Sequence, residues 1–194
     1  MAHLSIIKIM EINDLKKTGT VIVINNEPYQ VIFSQHARTA QSRAFVRTKL
    51  KNLITGQILE KTFNASDKIE KANIEKTKAN FLYIEKDDLF FMDNQTYEQF
   101  SLKKSCLRDQ EKFLKEGTEV VILMFDKKPI NVELPKKINL RVIEAPPGIK
   151  GDSATTPTKT VTLETGAKIN VPIFIKTGDT IRINTESGGY VERV

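Results

Sequence analysis

Apolar residues recur at every second position along most of this chain, in short runs separated by turn residues. Val21 to Ile24 and Tyr29 to Phe33 are two such runs, and Asn25-Asn26-Glu27-Pro28 between them predicts a hairpin. Residues 44 to 53 alternate cleanly. Val46, Thr48 and Leu50 point one way and Arg47, Lys49 and Lys51 the other, which predicts a strand with one core face and one basic face. A turn at Thr55-Gly56 leads into a return strand from Gln57 to Phe63. The same texture predicts hairpins over Phe81 to Met92 and Val120 to Leu134, with turns at residues 85–88 and 126–129, and a short strand over Tyr97 to Leu102. Further strands are expected at Ile138 to Ile143, Val161 to Leu163, Lys168 to Ile175, Thr180 to Asn184 and Val191 to Val194. Only SCLRDQEKFLKEG reads as helical. Its Cys106, Leu107, Gln110, Phe113 and Leu114 share a face, Ser105 stands at a cap position and Gly117 follows the end.

Short strands with turn signals about every 8 to 12 residues predict an all-β chain of small barrels or sandwiches. The polar, lysine-rich stretch from Asn64 to Asn80 marks a boundary near residue 70, and Pro135 marks another, with the last third beginning at Lys136. Three units of about 65 residues each fit this division better than one large sheet. No tandem repeat stands out.

Composition narrows the class. The 194 residues carry a net charge of +6, a bias that suits a polyanionic partner such as RNA but also a lysine-rich solubilising surface. No apolar run approaches the roughly 20 residues of a membrane span, and MAHLSIIKIMEIN lacks the charged start and cleavage site of a signal peptide. The single cysteine, Cys106, excludes an internal disulfide, and with only His3 and His36 a zinc site is not expected. No cofactor is expected, and a reducing cytoplasm fits.

The sequence holds no nucleophile elbow, phosphate-binding loop or zinc-protease motif. Asp87-Asp88 reads as a solvated turn rather than a carboxylate pair, Cys106 as a helix residue without a base, and His36 as a loop or surface residue. Lys150-Gly151-Asp152-Ser153 is either a phosphate-contacting loop, since glycines allow close backbone approach, or an ordinary surface loop. The stronger signal is HARTAQSRAF, residues 36–45. It joins two strand signals, and its Arg38 and Arg43 stand near Arg47, Lys49 and Lys51. Phosphate neutralisation calls for such clustering; the alternative is a solvated edge strand guarded by lysines.

Five stretches in order resemble the bacterial elongation factor P family: NNEPYQV, AFVRTKLKNLITGQILEKTF, FMDNQTYEQF, APPGIKGDS and LETGAKINVPIFIKTGDTIRINTESGGYVERV. The resemblance implies an SH3-like (KOW-like) first domain over 10–70 and two OB-folds over 71–135 and 136–194, arranged as an L of tRNA-like outline. It implies a monomeric, non-enzymatic translation factor that binds the 70S ribosome between the P and E sites. There the factor positions peptidyl-tRNA and relieves stalling at consecutive prolines. The partners implied are ribosomal RNA, the P-site peptidyl-tRNA and messenger RNA near the E site. The rivals are a paralogue of the family with a shifted role and a general OB-fold binder of single-stranded RNA.

Carried over position by position, the tip of the loop that reaches the peptidyl-transferase centre falls on Gln41, within Thr39-Ala40-Gln41-Ser42. The family commonly has a modified lysine or arginine at that position, and Gln41 departs from it. Three readings stay open. The unmodified glutamine suffices with Arg38 and Arg43 supplying phosphate contacts, which is the reading preferred here; Arg43 is modified instead; or the chain is a divergent paralogue. Gly151, Asp152 and Ser153 stand where the family approaches the E-site codon. Tyr190 and Arg193 match the tyrosine and arginine at the anticodon stem-loop, with core packing as the alternative for Tyr190. The family usually begins near Met10, so residues 1–9 are a strand extension, a disordered leader or a mis-assigned start, the last being preferred.

Overall fold

The structure is a computed structural model that describes residues 8–37, 45–107, 109–147 and 157–194. Among these residues there are strands and three short 3-10 helices, and no α-helix. The strands form three antiparallel-paired sheets. The first contains β1 (Lys8–Met10), β2 (Val21–Ile24), β3 (Glu27–Ala37), β4 (Phe45–Asn52), β5 (Ile58–Asn64) and β6 (Ile69–Lys71), in the order β1-β6-β2-β3-β4-β5. The second contains β7 (Ile74–Glu85), β8 (Asp88–Asp93), β9 (Gln99–Lys103), β10 (Glu119–Phe125) and β11 (Lys128–Glu133), in the order β11-β10-β7-β8-β9. The third contains β12 (Lys137–Glu144), β13 (Thr158–Leu163), β14 (Lys168–Pro172), β15 (Thr180–Asn184) and β16 (Tyr190–Arg193), in the order β14-β13-β12-β15-β16.

By packing, the chain divides into two compact units, Met1–Thr77 with Ile122–Asn131, and Lys78–Val121 with Val132–Val194. In the first unit, Met10, Leu15, Ile22, Val31, Val46, Leu50, Phe63 and Ile69 form one core. A second cluster joins Leu53 to Leu123 and Ile130, and the Asn131 side-chain amide donates to the Leu53 carbonyl at 2.7 Å. In the second unit the third sheet closes over a core in which Leu140, Val142, Val161, Leu163, Val171, Ile175, Ile181 and Ile183 are wholly buried.

The expected helix over Ser105–Gly117 does not form. Two 3-10 helices, Lys104–Leu107 and Gln110–Phe113, take its place. Asp109 between them has φ +70°, a left-handed conformation that interrupts a helical hydrogen-bond ladder. Tertiary burial overrides the helical spacing: Phe113 leaves any shared stripe and enters the core of the third sheet. Gly117, at φ +79°, serves the entry into β10, its N–H donating to the Phe81 carbonyl at 2.9 Å.

The hairpins follow turn chemistry. Asn25 and Asn26, at φ 52° and 63°, supply the two positive angles of a tight two-residue connection, and Asp126 and Lys127, at 48° and 62°, do the same between β10 and β11. A longer turn recurs once in each sheet. Asn52, Asp93 and Asn184 each accept, through the side-chain oxygen, the N–H groups two and three residues on, at 2.7 to 3.0 Å. Their backbone carbonyls accept from Gly56, Tyr97 and Gly188, all of which have positive φ. The hydroxyls of Thr55, Thr96 and Ser187 then accept the N–H two residues on at 3.3 Å. The side-chain oxygen mimics a backbone acceptor, so a short Asn or Asp is required at the first position.

Candidate nucleic-acid interface

β4 alternates as its sequence implies. Val46, Thr48, Leu50 and Asn52 are buried, Arg47 and Lys49 are exposed and Lys51 is half-buried. Thr48 satisfies its buried hydroxyl on the Lys61 carbonyl at 2.8 Å. Since β4 lies between β3 and β5, its basic face forms the middle of a three-stranded outer surface. Lys49 faces Glu60 across the β4–β5 ladder and pairs with it at 3.0 Å, while the Arg47 guanidinium sits 5.6 Å from the centre of the Phe45 ring. The paired ends of β3 and β4 are Ala37 and Phe45. The residues joining them, including Arg38, Thr39, Ala40, Gln41, Ser42 and Arg43, lie outside the described residues. Gly151, Asp152 and Ser153, between β12 and β13, also lie outside them.

A residue that alternation missed is Phe33. The β3–β4 register runs Val31↔Leu50 and then Phe33↔Lys49, with a bulge between. The extra residue changes which way the strand aims its side chains. Ile32 and Phe33 are therefore both exposed, at 38% and 48%, and Phe33 lies opposite Lys49 on the basic surface. Strict period-two reading carries straight through such a bulge, so the sequence suggested only a strand.

A second bulge sets Tyr190 and Arg193 on the same face of the sheet. They are three residues apart on β16, a spacing that in a regular strand puts them on opposite faces. The register here runs Ile183↔Tyr190 and Ile181↔Arg193, with a shift between, and Ile181 and Ile183 share the core face. Tyr190 is half-buried against that core. Arg193 stands 3.8 Å from Asp179 and 6.0 Å from the Phe174 ring centre, and Phe174 is 54% exposed. An aromatic face and a guanidinium at one rim can hold a base and its phosphate. The apolar run from Lys168 to Ile175, which predicts one longer strand, also hides Phe174. That strand ends at Pro172, and the Ile175 N–H turns back onto the Pro172 carbonyl.

The remaining chemistry is quiet. Burial pushes the half-buried Cys106 thiol up, away from a reactive thiolate. Asp88 holds Lys103 at 2.9 Å, in keeping with a solvated ion pair. Among the described residues no cluster of three or more metal-ligating side chains occurs, and no helix is long and apolar enough to cross a membrane.

Comparisons with known proteins agree with this architecture. Family models for the elongation factor P KOW-like domain, OB domain and C-terminal domain match residues 11–69, 74–132 and 138–193. Elongation factor P of Moorella thermoacetica is 45% identical over 181 residues, 93% of this chain and 97% of that protein. Elongation factor P of Carboxydothermus hydrogenoformans is 44% identical over 182 residues, 94% of this chain and 98% of that protein. Among solved structures, eukaryotic translation initiation factor 5A from Methanococcus jannaschii superposes with a TM-score of 0.56 at 22% identity, covering 69% of this chain and 99% of that one, a likeness of fold. With three domain models matched in order and close to half the residues shared along nearly the whole length of two curated relatives, this chain belongs to the elongation factor P family of translation factors.

Proposed function

We propose that this chain binds the ribosome between the P and E sites, holds peptidyl-tRNA in a reactive geometry and relieves stalling at consecutive prolines without covalent chemistry of its own. The observation that carries the reading is the basic outer face of β4, centred in a stiff three-stranded ribbon whose paired ends lead into residues 38–44. Proline's ring restricts its backbone, so it presents a poor geometry for peptide transfer. Holding the reactants in a near-attack arrangement lowers such a barrier by orientation alone. In this reading Arg38, Arg43, Arg47, Lys49 and Lys51 neutralise RNA phosphates around the acceptor end. Thr39, Ala40, Gln41 and Ser42 form the thin tip at the peptidyl-transferase centre, with Gln41 acting unmodified. Gly151, Asp152 and Ser153 approach the messenger RNA, while Tyr190 and Arg193 hold the anticodon stem-loop.

The test is synthesis of a triple-proline peptide in a reconstituted translation system. Acceleration by the chain supports the reading; no acceleration, with or without extract from its native cell, overturns it. Gln41→Ala and Arg43→Ala should lower the rescue rate more than ribosome affinity, and Tyr190→Ala or Arg193→Ala should lower affinity itself. Mass spectrometry of the native protein tests the tip: a mass shift on residues 38–47 would contradict an unmodified Gln41.

A further inference from the structure

The outer face of the β3-β4-β5 ribbon is more than a charged surface. It encloses an open groove of about 370 Å³ whose wall and floor include Phe33, Gln35, Arg47, Lys49, Glu60 and Thr62. That volume is within the range of small-ligand sites, which combine an apolar wall with a few placed polar groups. Phe33 supplies the apolar wall, and it does so only because the bulge after Val31 turns it outward. Opposite it stand two cations of different readiness. Arg47 is backed by the Phe45 ring, which orients the planar guanidinium. Lys49 is held by Glu60, but both side chains are largely exposed, so this pair is weak and exchangeable for a phosphate. Lys61 also borders the groove, yet its ammonium lies 5.2 Å from the Phe63 ring centre, and we assign it no ligand contact.

We infer that this groove binds one unstacked nucleotide of a single RNA strand, the base lying on Phe33 and the phosphate on Arg47 with Lys49. Gln35 and Thr62 offer donors and acceptors for the base edge. Glu60, freed when Lys49 turns to the phosphate, can accept a hydrogen bond from a ribose hydroxyl, a group DNA lacks. The exposed aromatic selects this occupant over a duplex. A phosphate track alone needs no π-face, whereas single strands are held by stacking on aromatic side chains beside a basic groove. The inference deepens the proposed ribosomal function and rests on it for the identity of the RNA, though not for the chemistry of the groove.

Tryptophan is absent from the chain, so Phe33→Trp creates a single indole reporter at the wall of the groove. Titration of this variant of the full chain with a tetranucleotide RNA should quench the indole emission. Adenosine monophosphate should quench it more weakly, and duplex RNA of equal length hardly at all. In anisotropy measurements on a labelled tetranucleotide, Phe33→Ala should weaken binding about 5- to 100-fold, the range set by loss of one base–aromatic stack, and Phe33→Tyr should restore it. Arg47→Ala should weaken binding and reduce the slope of log affinity against log salt by about one.

Thermal denaturation of each variant separates loss of binding from loss of fold. A folded Phe33→Ala variant with unchanged affinity overturns the inference, as does a preference for duplex or an unquenched indole at saturation. Triple-proline synthesis is run in parallel with the wild-type chain. Acceleration there without tetranucleotide binding sinks the groove alone, whereas tetranucleotide binding without acceleration sinks the ribosomal reading and leaves the groove.

Discussion

The first and third sheets each seal an apolar core but lay different surfaces over it. The third sheet seals eight aliphatic side chains completely and takes Phe113 into its core, while Ile143, Phe174, Val191 and Val194 stay exposed. The first sheet leaves Ile32, Phe33, Ile54, Ile58 and Leu59 exposed on or around the β3-β4-β5 ribbon, and Ile9 exposed on β1. Each sheet also sets an arginine over a phenylalanine. In the third sheet that arginine stands 3.8 Å from Asp179, and Tyr190 on the same strand packs half-buried against the core. In the first sheet, Arg47 shares an open groove with an outward-facing Phe33. The two sheets thus differ less in their cores than in the surface over them, an open groove in the first and an exposed arginine–phenylalanine rim in the third. Substitutions in the sealed cores should register first as lost stability, and those at the exposed positions of either sheet as lost binding.

The largest effect expected from this contrast is at Phe113, 2% exposed and surrounded by the third sheet's core. Phe113→Ala should cost about 3–5 kcal/mol in denaturant unfolding, the range for truncating a buried phenylalanine. A loss as small as that of a surface substitution would mean the core closes without it. Gly188 sharpens the point. A Cβ there would meet the Phe113 ring at 3.3 Å, and its φ is +68°. Gly188→Ala should therefore destabilise by about 1–2 kcal/mol from left-handed strain alone, and by less in a Phe113→Leu background if the ring contact adds to it.

Next in size is the difference between the two arginines. Arg193→Ala removes a cation beside the Phe174 ring and should lower ribosome affinity about tenfold or more, as expected for losing a charged hydrogen bond to an RNA phosphate. Arg47→Ala should cost less affinity but carry more of the salt dependence, since its surroundings are basic. Equilibrium binding at two salt concentrations checks both, and equal salt slopes for the two variants would erase the distinction.

Much of this was legible in the sequence because strand alternation and turn chemistry are local. The basic face of Arg47, Lys49 and Lys51 follows from period two, and Asn25-Asn26 announces its own hairpin. Bulges are not local in that sense. One extra residue in β3 or β16 leaves the apolar texture intact while changing which side chains share a face, so the exposure of Phe33 and the shared face of Tyr190 and Arg193 needed the partner strand. The helix over Ser105–Gly117 failed because Phe113 serves a core formed by residues far along the chain. The recurring turn did leave a signal, in NLITG, DNQTY and NTESG: Asn or Asp, then Ser or Thr three residues on, then a residue of positive φ.

The middle copy of that turn offers a smaller test. Gly56 and Gly188 occupy the left-handed position in the first and third sheets, whereas the second has Tyr97, at φ +60° and 71% exposed. Tyr97→Gly should raise stability by about 0.5–1 kcal/mol, the left-handed strain relieved less the entropy glycine loses on folding. No gain in unfolding midpoint would indicate that the tyrosine recovers its strain through contacts in the folded state.

The smallest effect concerns charge beside the sealed core. Glu164 loses some solvation, which would raise its pKa, but the Arg141 backbone N–H at 3.0 Å and the Lys115 ammonium at 2.9 Å outweigh that and hold its carboxyl below the ordinary value. A carboxyl lowered on folding contributes stability above its unfolded pKa and loses it as pH falls through the folded value, so the window lies below about pH 4.5. Glu164→Gln keeps an oxygen to accept the Arg141 N–H and removes only the charge. With Lys115 half exposed, the loss at neutral pH should not exceed about 1 kcal/mol. It should shrink in 1 M salt and disappear as pH falls through the folded value, where the wild-type carboxyl is itself protonated. A deficit that persists unchanged once the carboxyl is protonated in acid would assign the contribution of Glu164 to packing rather than charge, and the third sheet would then owe its stability to its sealed core alone.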